Sequence, residues 1–327
     1  MNKLSSLAEM RALVSPFATP SNIRGLWETG VTLLLFFIFV LLSGIASSYF
    51  LPLALVLAIP TGFLLVRIFI LQHDCGHRAL FRSAWLNRWV GRLCALLVFT
   101  PFDSWRQDHH GHHRDTGRLD IKRGDGVLWL YTVSEFAKLS PLRKKLYRLY
   151  HFPPMLFCIG PLLYFVFYYR CWWFEKKSSN RKSMHLTNIA LFVVCGLLFL
   201  VIDLKTLVIA YLPTIAIASM IGVWLFYVQH SFENAYFARE SEHDKRTAIV
   251  KGSSFYKLPW LLDWLTGSIG YHALHHLNPS IPSYRLRECF EATAHLWRET
   301  PTFTIRESLS LPGLALWDEE ERKLVRF

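Results

Sequence analysis

Residues 31–77 read VTLLLFFIFVLLSGIASSYFLPLALVLAIPTGFLLVRIFILQHDCGH. Positions 31–72 carry one charge, Arg67. At 1.5 Å per residue, roughly 20 apolar residues cross a hydrocarbon core of about 30 Å. The stretch therefore holds two crossings, 31–50 and 51–72, with almost no loop between them. Counted from Leu51, the chain reaches the opposite surface near Leu71, so His73 and His77 emerge just beyond the lipid.

The rest of the 327-residue chain extends this pattern. Mean hydropathy is +0.26, and charged residues make up 18% against a usual quarter. A second hairpin is expected from the runs 186–204 and 206–229, with Asp203 and Lys205 at its turn and His230 at its mouth. Segment 89–102 is too short to cross. Segment 152–174 is long enough but is interrupted by Pro153, Pro154 and Pro161. The loop after it carries Lys176, Lys177, Arg181 and Lys182, and positive loops stay in the cytoplasm. A single crossing there would put that loop outside and would separate His230 from His73. The expectation is a re-entrant or interfacial pair of short helices, with a full hairpin as the alternative.

The fold class that follows is an all-α integral membrane protein of two transmembrane hairpins. It has four crossings, possibly six, both termini in the cytoplasm and a cytoplasmic helical cap built from 103–151 and the segment after Ser231. Residues 1–29 form a polar N-terminal segment without the pattern of a cleavable signal, so the first membrane helix directs insertion. Net charge is +12. The basic residues lie mainly between apolar runs, which excludes nucleic-acid binding and suits an acidic protein partner or anionic lipid. None of the six cysteines makes a CxxC, so they read as small buried hydrophobes.

Nine of the 14 histidines fall into a spaced constellation. His73 and His77 form HDCGH. His109, His112 and His113 form HxxHH, and His272, His275 and His276 form HALHH. His230 stands alone, level with His73. Residues three or four apart share a helix face, so each cluster aims its imidazoles at one point. Nine ligands exceed the six of an octahedral ion and suit two metals. Imidazole fits zinc, copper, iron and nickel alike, so ligand type does not choose. The soluble di-iron bundle pattern, a Glu on each of two helices plus a pair of ExxH motifs, does not occur. Asp74, Asp108 and Asp115 sit beside the ligands. They either orient imidazoles through the second ring nitrogen or are ordinary helix-end acids. His110 lies one residue off the ligand face and is expected not to bind metal. His151, His185, His243 and His295 are isolated and read as structural, and Asp120 and Asp125 carry no role.

With HDCGH, WRQDHHGHHRDTGRLD and GYHALHHLNPSIPSYRL, the chain resembles the three histidine boxes of membrane fatty acid desaturases, closest to the acyl-lipid Δ12, Δ15 and Δ5 kind. VQHSFENAYF, 228–237, resembles the family's extra ligand segment, and GSSFYKLPWLLDWLTGSIG, 252–270, also looks familial. The resemblance spans about 30–290, which implies a desaturase domain there and a cytoplasmic tail over 291–327.

The resemblance implies a non-haem di-iron centre on the cytoplasmic face, bound by the nine histidines. Some relatives carry a ligating Asn four residues before the lone histidine; this chain has Phe226 there. The implied reaction uses O2 and two electrons to remove two hydrogens from adjacent methylenes of an acyl-lipid, leaving a cis double bond. No haem, flavin or nicotinamide segment is recognisable, so electrons are expected from a separate carrier such as ferredoxin. A bacterial inner membrane is the expected location, and oligomeric state is not readable. A hydroxylase or ketolase acting on a fatty acid, alkane or carotenoid would use the same boxes. A non-enzymatic metal-binding membrane protein is the remote alternative. It would need a polar path through crossings whose charge is almost confined to Arg67.

Overall fold

The computed structural model describes residues 6–121 and 129–327, so Asp125 lies outside the described residues. Four helices are long and apolar enough to span a membrane: Asn22–Tyr49, Leu51–Gly76, Ser178–Phe199 and Leu204–His230. The first begins nine residues before the apolar run, because the Ser21 side chain caps it by accepting from the Arg24 amide. Phe50 is extended, and Pro52 sits in the first turn of the next helix, where its missing N–H costs nothing. The third span also starts early, taking Arg181 and Lys182 into its first turns. Asp203 caps the fourth through the Thr206 amide at 3.0 Å.

The early start of the first span brings in Glu28, which the apolar run alone leaves out. Its carboxylate meets Arg67 of the second span at 2.5 Å, and both side chains are 7% exposed. Arg67 also donates to Thr32 Oγ1 at 3.0 Å and to the Trp264 carbonyl, and its guanidinium lies 4.0 Å from the Trp264 ring centre. One buried cation thus ties the first hairpin to the cap. Breaking such a pair from one side leaves an uncompensated buried charge, at a cost of about 3–5 kcal/mol. Glu28→Ala should therefore lower the melting midpoint in detergent sharply. Glu28→Leu combined with Arg67→Met should lower it much less. Equal losses would show that the pair is not the latch.

The second and fourth spans form the centre of the bundle. At Gly62 an added Cβ would come within 2.6 Å of Ile217, so the close approach of these helices requires glycine. Phe36, Leu64, Leu65, Ile68, Leu71 and Ile215 form a buried cluster around it. The helices Ala84–Leu97 and Phe102–Asp115 make a short hairpin beside the second span, turning at Phe99, whose φ is +56°. The Phe99 carbonyl accepts from Arg170 at 2.5 Å, and Arg170 also donates to Asn188 at 2.7 Å.

The break falls at Pro153 and Pro154, at the start of segment 152–174, whereas Pro161 lies within the helical stretch that follows, so the expected pair of short helices inside the segment does not form. Helix Pro141–His151 meets Met155–Arg170 at 66°, a broken span or a re-entrant loop. Among the described residues, four helices are thus long and apolar enough to cross, or five if that pair is counted as one. The six-crossing alternative fails because 155–170 is one helix, not a hairpin.

The cap is mostly helical but contains two small sheets that the sequence did not announce. Tyr131–Thr132, Leu316–Asp318 and Lys323–Val325 form one, and Phe255–Lys257 pairs with Thr302–Thr304 in the other. Strands this short show no readable alternation. Trp317 and Leu324 join Tyr227 and Phe237 in one buried cluster, so residues 291–327 pack into the cap. Cys75, Cys94 and Cys289 are buried, whereas Cys158 is exposed. No disulfide forms among the described residues.

Candidate metal centre

The second and fourth spans project one turn past the apolar zone and deliver histidines at their ends. His73 lies in the last turn of Leu51–Gly76, with His77 as its C-cap, and His230 ends Leu204–His230. The helix Phe102–Asp115 supplies His109, His112 and His113, and the short helix His272–Leu277 supplies the other three.

All nine expected histidines meet, in two groups. His73, His77, His109, His113 and His275 form one; His112, His230, His272 and His276 form the other. Within each, the candidate ligand atoms lie within 4.8 Å of one another. Helical geometry explains the division. His109 and His113 are one turn apart and stay together, as do His272 and His276. His112 and His275, offset on the same helices, cross to the opposite group.

In the first group Nε2–Nε2 separations are 3.0 Å for His73–His275, 3.0 Å for His109–His113 and 2.9 Å for His113–His275. In the second they are 3.2 Å for His112–His276, 3.0 Å for His272–His276 and 2.9 Å for His230–His272. A neutral imidazole has one N–H, and several protons are held on the other nitrogen. His230 Nδ1 donates to the Gly252 carbonyl at 3.1 Å; His73 Nδ1 faces Asp74 at 3.3 Å; His276 Nδ1 faces Thr116 Oγ1 at 3.4 Å. Lone pairs then point at each other, which is repulsive unless a cation lies between them. His77 Nε2 is buried without a partner. The donor set therefore fits two cations with imidazole ligands.

Burial pushes His77, His109, His113, His272, His275 and His276 well below the ordinary histidine value, and neighbouring imidazoles push the same way. Each is thus held neutral, the form that binds metal.

The three neighbouring acids differ. Asp74 faces His73 with one oxygen and accepts from the Ser283 amide at 2.7 Å with the other. Asp115 instead pairs with Arg114 at 2.9 and 2.7 Å. Asp108 lines the adjoining cavity. His110 belongs to neither group and is exposed. His151 donates locally to the Tyr147 carbonyl at 3.1 Å, and His243 contacts the Thr116 carbonyl at 3.0 Å.

Sequence reasoning missed several contacts to these histidines. Trp105 lies flat on His109 at 4.8 Å, one turn before it on the same helix, a spacing that could have revealed it. Thr116 bridges His276 and the His112 carbonyl, again at helical spacing from His112. The Gly252 carbonyl, 22 residues from His230, had no signal. The Phe226 ring stands 4.9 Å from His112 and 5.1 Å from His230, filling space beside the smaller group.

Below the histidines lies an apolar cavity of about 440 Å³. Leu65, Val66 and Phe69 of the second span and Ile215, Ala218 and Gly222 of the fourth form its walls. His73 and His109 of one group, and His112 and His272 of the other, reach its surface. This space is bounded mostly by apolar side chains and borders both groups.

Comparison with known proteins agrees with this chemistry. The profile of the family described as "Fatty acid desaturase" matches residues 46–306. A "Fatty acid desaturase" of Bacillus subtilis (strain 168) is 39% identical, over 96% of this chain and 89% of its own. An "sn-1 oleoyl-lipid 12-desaturase" of Anabaena variabilis is 26% identical over 83% of this chain and 76% of its own. One of the same description from Picosynechococcus sp. (strain ATCC 27264 / PCC 7002 / PR-6) is 28% identical over 73% and 68%.

Proposed function

The chain belongs to the fatty acid desaturase family, and on that premise we propose that it introduces a cis double bond into the acyl chain of a membrane lipid, using O2 and two electrons. The observation that carries this reading is the apolar cavity whose surface includes histidines of both groups.

His73, His77, His109, His113 and His275 would hold one iron; His112, His230, His272 and His276 the other. Bound there, iron supplies an oxidant able to take hydrogen from an unactivated methylene, which redox-inert zinc does not. The protein's part is positioning. The cavity walls would surround the acyl chain and exclude water from the reacting segment. Asp74, Thr116 and the Gly252 carbonyl fix His73, His276 and His230 by their outer nitrogens, so the inner nitrogens stay aimed. Asp108 lies on the cavity wall, while Asp115 steadies the helix end through Arg114.

The four spans make this an integral membrane enzyme. The positive loops favour a cytoplasmic active site in a bacterial inner membrane. Electrons would come from a ferredoxin, an acidic partner for a basic chain. Expression in a desaturase-free bacterium should produce new double bonds at one position, located by mass spectrometry of derivatised fatty acids. A hydroxylated product with no new double bond would replace this reading with the hydroxylase one.

A further inference from the structure

His110 is the one member of the densest histidine run outside both metal groups, and it is exposed. Its ring nevertheless stands 5.3 Å from that of His77. The His77 ring in turn lies 4.8–5.0 Å from those of His73, His109, His113 and His275. His110 thus links solvent in one aromatic step to His77, a member of the five-histidine group, and through it to the other four rings.

The surface around this link is cationic. Arg106 and Arg114 lie one turn before and one turn after His110 on its helix, and exposed Arg78 follows His77 directly. Lys245 is fixed beside them, donating to the carbonyls of His113 at 2.5 Å and Arg114 at 3.1 Å. Two carboxylates oppose these four cations. Asp103 is shared between Arg92 at 3.0 Å and Arg106 at 3.6 Å, and Asp115 is bound to Arg114. A positive rim around a conduit draws a negatively charged protein and orients it.

We propose that an acidic one-electron carrier protein docks on Arg78, Arg106, Arg114 and Lys245, and that its electrons enter through His110 and His77. The proposal rests on the desaturase reading. Each encounter oxidises the carrier by one electron and reduces the metal centre by one. Two encounters supply the pair of electrons for each double bond. The two protons needed for water come from solvent and do not pass through His110.

The test uses the full-length, iron-loaded protein in phosphatidylcholine nanodiscs, with an acidic [2Fe–2S] ferredoxin as the probe. Arg78→Gln with Arg114→Gln should weaken ferredoxin binding about tenfold at low salt, with the difference vanishing at high salt. His110→Ala should leave binding and iron content unchanged but slow iron reduction by ferredoxin severalfold, while reduction by methyl viologen stays the same. His110→Phe should restore the rate, because a ring again spans the gap.

Unchanged ferredoxin binding and reduction in all three variants would overturn the proposal. So would failure of the wild-type protein to bind ferredoxin, or an arginine-variant defect seen only with anionic lipid in the discs. If wild-type protein driven by methyl viologen makes no double bond, the desaturase reading fails instead.

Discussion

Replacing His275 by alanine should lower bound iron from about two per chain to about one, and His112→Ala should do the same at the other group. The two variants should empty different groups. His275 stands between His73 and His113 at 3.0 and 2.9 Å, so its loss opens the five-histidine group. His112 belongs with His276 at 3.2 Å, so its loss leaves the smaller group three imidazoles. Removing an outer partner of a metal-bound histidine already costs about 10–100-fold in affinity or activity. Loss of a ligand should exceed that, and desaturation should fall below detection in both. The control is internal to one run of sequence. His109→Ala should lose metal, because its Nε2 lies 3.0 Å from that of His113, whereas His110→Ala should retain it. Iron analysis of purified variants, with a spectroscopic check for paired against single ions, decides the matter. Full iron in both His112→Ala and His275→Ala would sink the ligand assignment.

The degree to which this centre was legible follows from where its information lies. A ligand pair at three- or four-residue spacing is local, and HDCGH, HHGHH and HALHH state it outright. His230 was legible for a different reason: counting residues across the lipid put it level with His73, and the two helices end together. Partition of the nine between two groups was not stated, because it depends on how the helices cross. The same holds for the Gly252 carbonyl, which any residue type could have supplied. Glu28 shows a subtler limit. Hydropathy ended the first span at the edge of the apolar run, yet the helix continues into the polar zone, where a buried charge is tolerable only with a partner. The strands of the cap were hidden because two or three residues cannot display an alternating pattern.

The cavity allows a test that leaves the metal untouched. Gly222→Leu should abolish turnover of long acyl chains or shift residual products toward shorter ones, with full iron content and an unchanged melting midpoint. Gly222 lies one turn from Phe226 on the fourth span, and Phe226 abuts His112. Ala218 lies one turn further from the histidines, and all three side-chain positions face the cavity. Small residues at 218, 219 and 222 leave a path along this helix, with Leu65 and Phe69 on the opposite wall. At Gly222 an added Cβ would meet nothing within 4 Å, so a side chain there starts into open space. A leucine removes room. A difference of one methylene in a hydrophobic pocket is worth roughly 10–200-fold in specificity, so four added carbons should be decisive for a chain that must pass that point. Gly62 supplies the contrast. There a Cβ strikes Ile217, so Gly62→Ala should lower stability and disturb all substrates together. Selective loss of long-chain turnover at 222 against general loss at 62 separates a substrate path from a packing contact. Unchanged rate and product profile in Gly222→Leu would mean that the acyl chain runs elsewhere.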